Sequence, residues 1–315
     1  MNSRVLLALA IGMMLVAALT ADRASAFCRM TTDGGTQVGM QACVERGEFL
    51  EWPVACLPYA IDERGSRWME FGDVQRAIDT SFKTWENVDC NGEPVDLIFK
   101  PLDSSTCQRA EFRTTGNVNT IAFPEPWEDQ CGSEFAANAF AVTIVWHNTT
   151  TGEILDADMM INDSLGPYAN CPSSGCEEGT RGNPGDADLQ SIVTHEAGHF
   201  IGIGHSDVEG ATMLPSSERT EVSKRMLAQD DIDAVCEIYP PGNLDALCSP
   251  ITVGGLDLHC EDDGPPNCDG TPVPSNGGCS AREVSPGESP WGALLLALLA
   301  LTVLRRRSSQ RDAQS

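Results

Sequence analysis

Five short runs of apolar or alternating residues punctuate the first two-thirds of the chain. They are "ACLPYAID" (55–62), "VDLIFKPL" (95–102), "NTIAFP" (119–124), "AFAVTIVW" (139–146) and "EILDADMMI" (153–161). Their length, β-branched content and flanking turn residues predict strands. The last two are separated by "HNTTTG" (147–152), a plausible hairpin connection. Between the first two runs the period changes. In "DVQRAIDTSFKTWENV" (73–88), Val74, Ala77, Ile78, Phe82 and Trp85 recur at helical spacing on one face. A second helix is predicted in "DADLQSIVTHEAGHFIG" (186–202), with Asp186 or Asp188 as its cap and Leu189, Ile192, Val193, Ala197 and Phe200 as its apolar positions. Residues 55–240 therefore read as one packed domain of mixed helices and strands. Residues 27–54 form a separate cysteine-containing segment. Residues 241–279 are rich in Pro, Gly, Asp and Cys without periodicity, and read as an acidic linker stapled by disulfides.

The start of the chain sets the compartment. Arg4, the apolar run 5–19 and Ala24-Ser25-Ala26 have the form of a secretory signal occupying residues 1–26. Export implies an oxidising environment, and 13 cysteines agree with it. Their connectivity is open, and the odd count leaves at least one outside an intramolecular bridge. Residues 27–279 carry 13 basic and 42 acidic side chains. Such a body repels phosphate backbones, which excludes nucleic acid as a partner. It would stay soluble outside the cell and could bind calcium.

Three of the five histidines lie within "HEAGHFIGIGH" (195–205). His195 and His199, four apart, share a helix face, and Glu196 projects beside them. Gly202 can adopt a left-handed turn without steric cost, ending the helix so that His205 folds back towards the first two. Three neutral imidazoles around one point, with a fourth position open, are the ligand set of a catalytic zinc. Scattered surface histidines are the competing reading. The added Gly and His make a chance match roughly a thousandfold rarer than a bare H-E-x-x-H.

With those residues the sequence resembles the metzincin metalloproteases, and among them the matrixins. "HEAGHFIGIGH" matches the full HExxHxxGxxH signature, and Ser206 follows it as in matrixins. "HSDVEGATMLPS" places Met213 as in the matrixin Met-turn, and "LAQDDIDAVCEIYP" (227–240), with Asp230 and Asp231, is similar to the final helix. The resemblance covers about residues 55–240. It implies an α+β fold: a twisted, mostly parallel five-stranded sheet with an antiparallel edge strand, an active-site helix and a C-terminal helix. It implies one catalytic Zn2+ on His195, His199 and His205, with Glu196 as general base and Met213 as an apolar floor under the ligands. Protein or peptide substrates would lie along the edge strand, for which "AFAVTIVW" is the matching segment.

The chain also departs from that family. A second, structural zinc is not expected, because only His147 stands in the relevant region and Asp158 replaces a common histidine. Asp156, Asp158, Asn162 and Asp163 could offer oxygens to Ca2+, but an acidic, solvated turn is the preferred reading. No cysteine-switch propeptide motif is present. Cys28 or Cys43 could mask the zinc, but pairing with each other or with Cys56 is their more ordinary fate. Two other functions compete with endopeptidase. One is a surface adhesin whose structural zinc is closed by His147, His259, an acidic side chain or a free cysteine. The other is a zinc hydrolase of peptidoglycan cross-links.

The end of the chain, residues 280–315, adds an apolar segment at 291–304 followed by Arg305, Arg306 and Arg307. Fourteen residues fall short of the roughly 20 that span a bilayer. With Gly277, Gly278 and Cys279 upstream, the tail resembles the myxosortase-type (MYXO-CTERM) sorting signals of bacterial surface proteins. That resemblance implies transient membrane contact, a sorting or processing protease as partner, and Cys279 as the attachment point on the outer surface of a Gram-negative bacterium. Removing Cys279 leaves 12 cysteines for disulfides. A marginal membrane anchor is the alternative.

Overall fold

A computed structural model describes residues 27–33, 43, 46–125, 127, 138–173, 186–216, 219–244, 255–260 and 278–279. Residues 1–26 and 280–315, expected to be a secretory signal and a sorting tail, lie outside the described residues. Five of the strands follow the expected runs: β2 (Cys56–Ile61), β3 (Ile98–Pro101), β4 (Thr120–Ala122), β5 (Ala141–His147) and β6 (Ile154–Ile161). They form one sheet in the order β5-β6-β4-β2-β3. β2, β3, β4 and β6 run parallel, and β5 is antiparallel to β6 through the hairpin. This is the mostly parallel five-stranded sheet with an antiparallel edge. On the open side of β5, a short strand β10 (Gly278–Cys279) pairs with His147 and Trp146. Strand β1 (Phe27–Arg29) pairs with β9 (Ile203–Ser206), and β7 (Tyr168–Ala169) with β8 (Ala187–Asp188).

Helices α1 (Phe71–Glu86) and α2 (Leu189–Phe200) supply the apolar stripes that cover one sheet face. Val74, Ala77, Ile78, Phe82 and Trp85 of α1 are all buried, as are Leu189, Val193, Ala197 and Phe200 of α2. Phe82 sits centrally, 4.5 Å from the Tyr59 ring, 4.6 Å from Phe99 and 5.3 Å from Phe200. Two polar bonds lock the helix pair in register: Ser81 Oγ donates to the Gln190 carbonyl at 3.0 Å, and Trp85 Nε1 to the Thr194 carbonyl at 2.9 Å. Both α2 carbonyls belong to the turn that precedes His195, so α1 holds the helix that presents the histidines.

The described residues of the segment 27–54 pack against this body. The Met30 amide donates to the Gly202 carbonyl, and Trp52 Nε1 to the Phe200 carbonyl at 2.8 Å. Met30, Leu50 and Trp52 enter the core. Disulfides join Cys28 to Cys43, Cys90 to Cys236 and Cys107 to Cys260. The first matches one of the expected pairings, and the last ties the acidic linker to the loop over the outer sheet face. Cys56 and Cys171 are also disulfide-bonded.

The acidic residues of β6 and its exit correct one expectation. Asp156, Asp158, Asn162 and Asp163 are buried and do not form a solvated turn. On the outer sheet face, Asp158 accepts the Thr120 and Glu111 amides at 2.7 and 2.9 Å, and Asp156 accepts Asn117 Nδ2 at 2.6 Å. Asp163 accepts Ser66 Oγ and the Arg67 amide. Loops that cover the sheet carry amide donors, and these carboxylates satisfy them. Burial, reinforced for Asp156 by the charge of Asp158, pushes both strand carboxyls well above the ordinary range.

Candidate metal centre

Helix α2 begins at Asp188, whose carboxylate accepts the Ser191 amide at 2.8 Å. Arg225 grips that carboxylate through Nε at 2.7 Å, so the cap is itself held from outside the helix. One turn apart, His195 and His199 project together, with ring centroids 4.9 Å apart. The helix stops where expected. Gly202 has φ +85°, and a Cβ there would meet the Leu50 carbonyl oxygen at 2.4 Å, so both conformation and space require glycine. β9 then carries His205 back, 4.8 Å from the His199 ring and 5.4 Å from the His195 ring.

Backbone carbonyls set the tautomers. His195 Nδ1 lies 2.7 Å from the Thr212 oxygen, and His199 Nδ1 2.8 Å from the Ile203 oxygen. A carbonyl only accepts, so each Nδ1 carries the proton and each Nε2 keeps its lone pair. Burial is the main reason both imidazoles resist protonation. It pushes His195 well below the ordinary range, helped by the charges of His199, Lys224 and His205, and brings His199 to about 4. The Nε2 atoms of His199 and His205 are 3.2 Å apart. Two nitrogens on a tetrahedral zinc with bonds of 2.0–2.1 Å would be separated by roughly 3.3 Å. The donor set therefore fits zinc.

Among the described residues, no fourth His, Cys, Asp or Glu joins the three histidines as a metal-binding group. His147 is buried in β5, and His259 is exposed beside Asp257. Neither closes the site as the adhesin reading required.

Glu196 is 6 % exposed and its Oε2 accepts Thr143 Oγ1 at 2.7 Å. Burial raises its pKa, against the opposing effects of the Thr143 bond and the charges of His205 and Lys224. Thr143, on the edge strand β5, was not singled out from the sequence. Alternation along β5 could have suggested its inward face, but not which residue it meets.

Met213 is fully buried beneath the helix, and a Cβ built on Gly198 would lie 2.2 Å from its Sδ. The turn containing it is pinned by Asp231, near the start of α3 (Gln229–Ile238). Asp231 Oδ2 accepts the Thr212 and Ala228 amides at 2.7 and 2.8 Å, and Oδ1 the Met213 amide at 3.0 Å. Thr212 thus donates its amide to Asp231 and accepts the His195 Nδ1 proton on its carbonyl. Lys224, also missed by sequence reasoning, is buried with Nζ 3.4 Å from His195 Nδ1 and donating to the Leu214 carbonyl. Burial lowers its pKa, opposed by Glu221, Glu196 and Asp231.

Known proteins are similar in sequence to part of this chain. Metalloendoproteinase 1-MMP of Arabidopsis thaliana is 46 % identical over 54 residues, 17 % of this chain and 15 % of that protein. Metalloendoproteinase 1 of Glycine max is 49 % identical over 53 residues, 16 % of this chain and 17 % of its own length. Neutrophil collagenase of Homo sapiens is 42 % identical over 52 residues, 16 % of this chain and 11 % of the human protein. The match therefore spans less than one-fifth of each of these relatives. The matrixin family model (Peptidase_M10) covers far more, residues 51–240, from the segment entering β2 to the end of α3. With that match over three-fifths of its length, and with the sheet, helix pair and histidine cluster in place, the chain belongs to the matrixin family.

Proposed function

We propose that this protein is a zinc-dependent endopeptidase. The observation that carries the reading is the convergence of three imidazoles, those of His195 and His199 of fixed tautomer, beside a buried, hydrogen-bonded glutamate. His195, His199 and His205 would hold the metal through Nε2. Bound there, zinc supplies Lewis acidity, polarising a peptide carbonyl and lowering the pKa of a water molecule. Glu196 takes that water's proton on a carboxylate oxygen as the carbonyl carbon is attacked, and later delivers it to the departing amine. Its raised pKa brings proton uptake closer to neutral pH, and the Thr143 hydroxyl fixes its rotamer. Met213 fills the space below the ligands. An extended substrate is proposed to pair with the edge of β5 ahead of the Trp146 and His147 positions that β10 occupies, where backbone bonds give affinity with little sequence demand. Calcium remains a candidate additional ion, given the acidity of the body.

The test is hydrolysis of casein or gelatin by the purified domain, abolished by a chelator and restored by zinc. Glu196→Ala should keep one zinc per chain yet lose about 10²–10⁴-fold in rate, since metal binding and proton transfer use different side chains. Undiminished turnover, or loss of the metal, would overturn the assignment.

We further propose that the protein is exported, that the mature form runs from about Phe27 to Cys279, and that Cys279 attaches it to the outer cell surface. The signal-like start, the disulfides and the Gly-Gly-Cys tail support this. Mass spectrometry of surface protein from the native host decides it. Peptides from residues 291–304, or an unmodified interior Cys279, would rule it out.

A further inference from the structure

We propose that Lys224 makes the metal centre select substrates with an acidic side chain on a residue flanking the scissile bond. This rests on the endopeptidase reading, and concerns which peptides that site prefers. After the Met213 turn the chain runs back beneath α2 and forms a single 3-10 turn, Ser223–Arg225. Arg225 anchors the turn to the α2 cap through Asp188 and to the Cys171 carbonyl. With that residue clamped, the preceding side chain, Lys224, is directed at the metal centre. It is 4 % exposed, and its ammonium stands beside the first histidine of the triad.

Glu221, Glu196 and Asp231 act on that ammonium through space, but no carboxylate among the described residues stands within 4.0 Å of it. The Leu214 carbonyl takes one of its three protons, and His195 Nδ1 takes none, because that nitrogen donates to Thr212. The nearby carboxylates are engaged elsewhere. Asp231 holds three backbone amides, Glu221 accepts Ser223 Oγ, and Glu196 is bonded to Thr143. A buried cation with donor capacity to spare is costly until an anion reaches it, and a charge-assisted bond then forms in a poorly hydrated place. The anion that regularly arrives at a peptidase centre is a substrate side chain, so Asp or Glu next to the cut is the complementary group.

The whole chain's net charge of −26 works against acidic substrates at long range. Salt screens exposed charges beyond about 8 Å at physiological ionic strength, whereas a buried contact is screened much less. The preference should therefore depend on where the acid sits in the peptide and not on the peptide's total charge.

The experiment uses zinc-loaded protein and peptides of constant net charge in which one Asp or Glu is moved through every position around the cut. The wild type should show at least about tenfold higher kcat/KM with the acid at one flanking position. Lys224→Arg should keep this preference, Lys224→Met should lose it, and Lys224→Glu should shift it to a basic side chain. No positional acid preference in a wild type that cleaves casein, or an unchanged preference in Lys224→Met, overturns the proposal and leaves the endopeptidase reading intact. Binding gives a readout without turnover. The zinc-loaded Glu196→Ala protein should bind an aspartyl hydroxamate at least about tenfold more tightly than its leucyl counterpart, and equal affinities overturn the proposal even if no peptide is cut.

Discussion

Replacing Asp231 by asparagine separates the support of the metal centre from its ligands. The carboxylate is 1 % exposed and accepts three amides, two on Oδ2 and one on Oδ1. An asparagine of the same shape keeps one oxygen. If that oxygen faces Thr212 and Ala228, the new NH2 group opposes the Met213 amide, donor against donor. A hydrogen bond to a charged group contributes about 1.5–3 kcal/mol, and a neutral one about 1 kcal/mol. One lost bond and two weakened ones, partly offset by no longer burying a charge, give a loss of about 3 kcal/mol. That is a large part of the 5–15 kcal/mol typical of a domain. The effect should extend to the metal, because Thr212 bridges Asp231 and His195. Loss of such an outer partner typically weakens metal binding about 10–100-fold. Urea unfolding of the metal-free protein measures the first quantity, and competition with a chromophoric chelator the second. A stability change within about 0.5 kcal/mol, together with an unchanged zinc affinity, would refute the argument. A stability loss with unchanged zinc affinity would show that Asp231 holds α3 but not the ligand.

Two further outcomes follow from the same geometry. Gly198→Ala should destabilise by about 1–3 kcal/mol, because its Cβ would press on Met213 Sδ at 2.2 Å and Trp85 Cζ2 at 3.0 Å. That outweighs the roughly 1 kcal/mol by which alanine favours a helix, so a raised Tm would contradict the packing. In metal-free protein the His199 imidazole should stay neutral until the pH nears about 4, as followed by NMR. Between the unfolded value of about 6.5 and that point, the unfolded chain takes up a proton the folded chain refuses. The contribution of His199 to stability is therefore complete above the window and falls with pH inside it, by up to about 1.4 kcal/mol per unit. Asp156 and Asp158, with raised pKa values, act in the opposite sense, so the imidazole signal itself is the check. Protonation of His199 near 6.5 would show that it is not buried as described.

Features with a short repeat were readable from residue order alone. Short apolar or alternating runs marked the five strands of the sheet, and a period near 3.6 marked α1 and α2 with their buried faces. The pair His195 and His199 needed only helix geometry, and the return of His205 needed only a glycine free to take a left-handed turn. What joined distant parts of the chain was decided by tertiary structure. Thr143 meets Glu196 across 53 residues of sequence, Asp231 reaches the Met213 turn from another helix, and Lys224 reaches His195 because Arg225 is anchored to Asp188. No periodicity predicts such pairs, since each depends on two elements docking in a particular register. The docking of β1 on β9 is of the same kind, because its short strand carries too few residues to show an alternation. Asp156 and Asp158 show the limit most plainly. Composition marks them as solvent-seeking, yet the covering loops need acceptors for their amides, and that need put both carboxylates inside.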